Sequence, residues 1–320
     1  ADPKVREWTA AQNAQTRKIL DGLPGRDALR ERLKKLMSVG SISGLAHKGG
    51  RIFYQKRSGL ENQPILYVRD GPNAEPRVLV DPNTLSADGT SALDWWYPSQ
   101  DGLLVAYGVS EKGSEDSTLH VREVDSAADL PDRIARTRRA SVAWLKDRTG
   151  FYYSRYPVTG AVAAGEEQYH RHIYFHALGT DPSRDSVIFG PGRAKEDWPD
   201  VAVSPQGRYV LVSVSQGWSK SELYFRDLQS AATGFATVVA GRDAIYRGKI
   251  EGDTLYLLTN ENAPRFKLMA VNLARPQRND WRELIAEGPF TLNDFDVAGS
   301  ALAVGALERA ASRLRLYDLS

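Results

Sequence analysis

One unit recurs along most of this chain, and it restricts the fold more than any other feature. A run of β-branched and aromatic residues, a turn glycine and a second such run repeat with the glycine at Gly50, Gly102, Gly150, Gly207, Gly252 and Gly299. The intervals are 52, 48, 57, 45 and 47 residues. A third run follows each glycine, beginning at Leu66, Leu119, Ile173, Leu223, Leu268 and Leu314, at offsets of 16, 17, 23, 16, 16 and 15 residues. The long offset contains an insertion, residues 160–168, whose small and acidic residues read as a surface loop. A fourth short run closes most units, at 77–80, 186–189, 237–240 and 282–285; its counterpart at 130–135 is less regular, and the sixth unit has none. Four antiparallel strands repeated roughly every 50 residues are the signature of β-propeller blades. Each blade hides its faces only by stacking on neighbours. A β-sandwich would need the six offsets to coincide by accident. The expected fold class is therefore all-β, a β-propeller of five whole blades and most of a sixth over residues 41–320.

Residues 1–40 read differently. Asp2-Pro3 has the form of an N-cap followed by proline at the first helical position. Strong helix formers fill 5–20, and Gly22-Leu23-Pro24 ends the run. A second helix carries Leu29, Leu33, Leu36 and Met37 on one apolar stripe, opposite a face rich in Arg, Lys and Glu. This predicts a two-helix arm ahead of the propeller.

Composition narrows the partners. Lys plus Arg is 42 and Asp plus Glu is 40, a net charge of +2, which argues against the basic footprint of a nucleic-acid binder. No apolar run has the length of a membrane span. A soluble protein of the cytoplasm or periplasm is expected, and no residue chooses between those compartments. The absence of cysteine removes thiolate metal sites and a Cys nucleophile. Gly-x-Ser-x-Gly, a phosphate loop and His-Glu-x-x-His are all missing, so neither catalytic residues nor a cofactor can be assigned. Of the histidines, His170, His172 and His176 share strand parity and can face one way. Polar positions on a solvated blade face explain them better than a metal, because no carboxylate is spaced to complete a ligand set. Arg133, Arg136, Arg138 and Arg139 form either an anion site or, more simply, a solvated face or an interdomain salt-bridge patch. Trp95-Trp96-Tyr97 can stack on a ligand or fill the space between blades, and the second is the commoner use.

Several stretches resemble the N-terminal part of the prolyl oligopeptidase family of serine peptidases (peptidase family S9). They are Trp8-Thr9-Ala10-Ala11-Gln12-Asn13, Gly59-Leu60-Glu61-Asn62-Gln63, Leu79-Val80-Asp81-Pro82-Asn83-Thr84-Leu85-Ser86, Ser99-Gln100-Asp101-Gly102, Gly150-Phe151-Tyr152-Tyr153-Ser154-Arg155-Tyr156-Pro157 and Ala263-Pro264-Arg265-Phe266. The resemblance implies a seven-bladed propeller that caps an α/β-hydrolase domain, with the helical arm packed on the hydrolase. It implies a parent endopeptidase that cleaves short peptides after proline, the propeller acting as a size filter. In the family the Ser-Asp-His triad lies C-terminal to the propeller, so this chain alone is expected to be inactive. The last blade is also missing by this comparison, and the chain is expected to be an excised piece, a truncated gene product or part of a nicked enzyme. Two positions depart from the family pattern. An aromatic that faces the substrate cavity aligns with Arg139, placing a cation where an apolar wall is usual. A Gly-Ser-Asp-Trp stretch reads Gly113-Ser114-Glu115-Asp116, and loss of its Trp is expected to weaken contact with the hydrolase. Two alternatives stay open: a free-standing propeller that binds peptides or proteins, and the propeller of an oligopeptidase B-like sibling.

Overall fold

A computed structural model describes residues 2–59 and 61–319; Leu60 of the Gly59–Gln63 stretch lies outside the described residues. Two helices come first, α1 (Pro3–Leu20) and α2 (Arg26–Met37). Asp2 caps α1 by accepting a hydrogen bond from the Lys4 N–H, and Pro3 occupies the first turn, where its missing N–H costs nothing. Neither helix buries a residue. Their apolar side chains, among them Trp8, Leu29, Leu33 and Met37, stand exposed.

Six antiparallel sheets follow. The first holds β1 (Ser41–Lys48), β2 (Arg51–Arg57), β3 (Ile65–Arg69) and β4 (Arg77–Val80). The second holds β5 (Ala92–Pro98), β6 (Leu104–Ser110), β7 (Thr118–Glu123) and β8 (Asp129–Ile134). The third holds β9 (Val142–Trp144), β10 (Gly150–Arg155), β11 (His172–Ala177) and β12 (Ser186–Phe189). The fourth holds β13 (Trp198–Val203), β14 (Tyr209–Gln216), β15 (Lys220–Asp227) and β16 (Ala236–Val239). The fifth holds β17 (Tyr246–Glu251), β18 (Thr254–Thr259), β19 (Lys267–Asn272) and β20 (Arg282–Ile285). The sixth has three strands, β21 (Thr291–Ala298), β22 (Ala301–Glu308) and β23 (Ala311–Asp318). Register shifts between the third and fourth strands recur at one place, after Leu66, Ile173, Leu223 and Leu268. Such a bulge bends and twists the outer strand.

First strands adjoin one another, β5 beside β9, β9 beside β13 and β17 beside β21, so they line the axis of a propeller. The core lies between blades. Phe53, Leu66 and Leu79 pack with Leu93, Val105 and Tyr107 across the first seam. Corresponding clusters join blades 2 and 3, 3 and 4, 4 and 5, and 5 and 6. Among the described residues, no such cluster joins blade 6 to blade 1. Ile42 and Leu45 on β1 are 67% and 75% exposed, and Leu314 and Leu316 on β23 are 72% and 73% exposed. The six blades form an arc with two uncovered apolar ends.

Five of the six repeat glycines occupy turns with positive φ. Gly150 does not. It opens β10, where a Cβ would lie 2.3 Å from the His176 carbonyl oxygen and against the Phe175 ring. Close backbone approach, not turn geometry, requires glycine there.

The topology defines a rim. Each first strand begins on one side of the ring, and the second strand returns to it. Connections between sheets and the hairpins between second and third strands therefore share this upper rim, and the helical arm enters β1 from it.

Candidate functional site

The upper rim carries an open cleft of about 610 Å³ between blades 4 and 5. Arg139, Trp198, Asp200, Trp218, Lys220 and Arg247 are among its lining residues. Trp218 sits on the hairpin between β14 and β15 beside Gly217, whose φ of 67° suits the tight turn, and is 99% exposed. Arg139 reaches the cleft from the connection between β8 and β9. Its backbone is left-handed (φ 47°) and its side chain is 65% exposed. The guanidinium touches Glu115 Oε2 at 3.3 Å, an oxygen already held by Arg138 at 2.7 Å.

Buried Arg171, between blades 3 and 4, holds two of these lining residues, Asp200 and Trp198, from behind. Its Nη2 donates to Asp200 Oδ1 at 2.7 Å, Ser154 Oγ at 2.6 Å and the Arg139 carbonyl at 2.9 Å, while Nε donates to the Pro199 carbonyl at 3.2 Å. The guanidinium also lies 4.3 Å from the Trp198 ring centroid, within cation–π range. Burial pushes the Asp200 carboxyl above its ordinary pKa, and Arg171 opposes that shift. The sequence reading overlooked Arg171, hidden in the run Tyr169-His170-Arg171-His172. Nothing local marks it, since its partners lie 17 to 33 residues away.

The arginine cluster divides. Arg136 pairs with Asp116 at 2.6 Å and donates to the Glu167 carbonyl, while Arg138 and Arg139 share Glu115. The departed Glu115-Asp116 stretch thus takes three cations, and hydrogen bonding from Arg138 holds the Glu115 carboxyl below its ordinary pKa. Arg133 is separate. It lines another cleft, of about 700 Å³, with Tyr107, His120 and Asp129. The inserted loop is fastened to the rim, because Glu166 accepts from Lys195 at 2.7 Å and lies 3.0 Å from His170 Nε2.

The three histidines do not share a solvated face. His170 is on the upper rim with Glu166, His172 is half-buried, and His176 is fully buried near the opposite side. Among the described residues, no group of three or more His, Cys, Asp or Glu side chains is arranged to hold a metal. Trp95 fills the seam between blades 2 and 3 and donates its indole N–H to the Thr137 carbonyl at 3.0 Å, while Trp96 packs on the first seam. Aromatics between blades are thus the use made of the Trp95-Trp96-Tyr97 run. No helix is long and apolar enough to cross a membrane among the described residues.

The family profile for the prolyl oligopeptidase N-terminal β-propeller domain matches residues 1–320. A prolyl endopeptidase of Elizabethkingia meningoseptica is 30% identical over 317 residues, an alignment that covers 98% of this chain and 44% of that relative. Prolyl oligopeptidase A of Galerina marginata is 30% identical over 317 residues, covering 88% of this chain and 42% of that relative. A solved prolyl endopeptidase, studied for inter-domain dynamics in catalysis and specificity, superposes with a TM-score of 0.92 at 33% identity, over 99% of this chain and 47% of that one. Prolyl oligopeptidase B of Galerina marginata bound to a 35mer substrate shares the fold, with a TM-score of 0.88 at 23% identity over 100% of this chain and 48% of that one. The chain spans less than half the length of these relatives. With blades, arm and profile in agreement along its whole length, the chain belongs to the prolyl oligopeptidase family, as a member of its N-terminal β-propeller domain.

Proposed function

We propose that this chain is the non-catalytic, size-filtering propeller of a serine endopeptidase that cleaves short peptides after proline. One observation carries the reading: the uncovered helical arm and the open cleft of Arg139 and Trp218 share the upper rim. A single α/β-hydrolase domain laid over that rim would cover both. Exposed apolar surface of this kind marks an interaction site, and a concave site with aromatic walls and a few charges suits a peptide. Arg139 then faces the substrate chamber and presents a cation to the peptide. The uncovered ends of the arc would take a further blade. A free-standing six-bladed binder would instead bury the faces that carry Ile42, Leu45, Leu314 and Leu316, which stand in solvent.

The test uses the protein that joins this chain to a hydrolase half. It should cut a short peptide after proline and spare the same sequence within a folded protein. Equal cleavage of both would remove the filter from the account.

A further inference from the structure

A buried histidine between two carboxylates spans the seam of blades 2 and 3 on the side away from the upper rim. His176, on β11, is 0% exposed. Its Nδ1 lies 2.8 Å from Asp185 Oδ1, and its Nε2 lies 2.9 Å from Asp132 Oδ1. Asp185 belongs to the same blade, but Asp132 lies on β8 of the neighbour, so the ring spans the seam. A neutral imidazole has one N–H and would turn a lone pair toward one carboxylate; only the doubly protonated ring donates to both.

We propose that Asp132–His176–Asp185 is a proton-dependent clasp that holds blade 2 to blade 3 while the ring carries both protons and releases this seam when one is lost. The other groups around it are few. Tyr153 on β10 donates its hydroxyl to Asp185 Oδ2 at 2.6 Å, and Arg155 Nη1 is 3.5 Å from that hydroxyl. Gly179 N–H donates to Asp132 Oδ1 at 2.5 Å. Tyr174 feels the charges of Arg155 and Asp185, and the Phe151 ring lies 5.2 Å from the imidazole. Asp132 Oδ2 is buried with no partner, so this carboxylate depends on the His176 proton for half of its satisfaction across the seam. Burial disfavours the charged ring, but hydrogen bonds and charge from Asp185 and Asp132 outweigh it and raise the His176 pKa. The clasp is therefore fully closed below the ordinary histidine pKa of about 6.5 and opens as pH rises through the raised folded value.

Hydrogen exchange of the intact chain across pH 6 to 10 tests the clasp. Protection of amides in β8 and β11 should fall by up to about tenfold per pH unit between about pH 6.5 and the raised folded pKa and level off above it, beyond the intrinsic pH effect, while β14 and β17 at the seam of blades 4 and 5 hold theirs. His176→Gln should show the lowered protection at pH 6 and no further fall. Independently of any variant, the imidazole ¹⁵N shifts of His176 should report two protonated nitrogens at neutral pH. A fall of equal size at both seams, unchanged protection to pH 10, or one unprotonated ring nitrogen at pH 7 would overturn the proposal.

Discussion

Arg171 Nη2 on the third blade lies 2.7 Å from Asp200 Oδ1 on the fourth, and the same nitrogen holds the Arg139 carbonyl. One buried cation thus fixes both Asp200, which lines the cleft, and the backbone that aims Arg139 into it. Asp200 is partly open to solvent, which weakens the pair, but Arg171 itself is 2% exposed. Arg171→Ala should lower stability by about 3 kcal/mol, because it strands a carboxylate and several carbonyls. Arg171→Lys should recover only part of this, since an ammonium cannot reproduce the planar fork. Urea unfolding measures both, and an Ala variant within about 1 kcal/mol of the parent would contradict this role.

Two glycines mark close approach rather than turning. A Cβ on Gly108 would stand 2.2 Å from the Trp95 ring, and one on Gly150 would stand 2.3 Å from the His176 carbonyl oxygen. Gly108→Ala and Gly150→Ala should each cost about 1–3 kcal/mol through overpacking, the first at the seam of blades 2 and 3 and the second against the Phe175 ring, which packs toward blade 4. Gly252→Ala meets nothing within 4 Å and pays only for its φ of 57°, about 1 kcal/mol. Thermal melts of the three variants should rank in that order.

Acid should weaken the first seam. Burial alone would raise the Asp129 pKa, but hydrogen bonds from Arg122 and Tyr107, with the Arg122 charge, leave it below its ordinary value. A depressed folded pKa contributes stability above the unfolded value of about 3.9 that is lost as pH falls through the folded one. Arg122, which also donates to the Leu79 carbonyl of blade 1, ties this titration to the blade contact. Melting temperatures from pH 7 to pH 2 should drop steeply at the acid end, and Arg122→Gln should start lower and drop less.

The helical arm has no buried residue, so removing residues 2–37 should change the melting temperature of the remaining chain by no more than about 2 °C. Amides of both helices should exchange much faster than those of β6 or β14. A large loss on deletion would mean that the arm packs on the propeller.

The blades were legible because the repeat is written in local chemistry: β-branched and aromatic runs such as Leu223-Tyr224-Phe225 sit at fixed distances from turn glycines, and each became a strand within a few residues of its expected start. The arm was legible through Asp2-Pro3 and the leucine stripe. What escaped were relations between distant residues. His176 reads as one of several histidines until Asp132, 44 residues earlier, is brought against it. The arginine cluster reads as one patch, but its members leave the chain in different directions, Arg136 and Arg138 to the hairpin carboxylates and Arg133 to another cleft. Gly150 fits the turn spacing and serves a strand contact instead. Arg139 stood out in the arginine cluster, but only resemblance pointed it toward a substrate cavity, and its neighbours Trp218 and Arg171 carried no local signal.

Under the proposed function these residues guide peptides while the cleaving chemistry resides in another domain. Among the described residues, no histidine ring is bonded to a serine hydroxyl. The purified 320-residue chain, incubated with a chromogenic Gly-Pro substrate and separately with a serine-directed phosphonate, provides the most direct measurement. The account predicts no turnover and an unchanged mass; turnover that the phosphonate abolishes, with one adduct per chain, would contradict it.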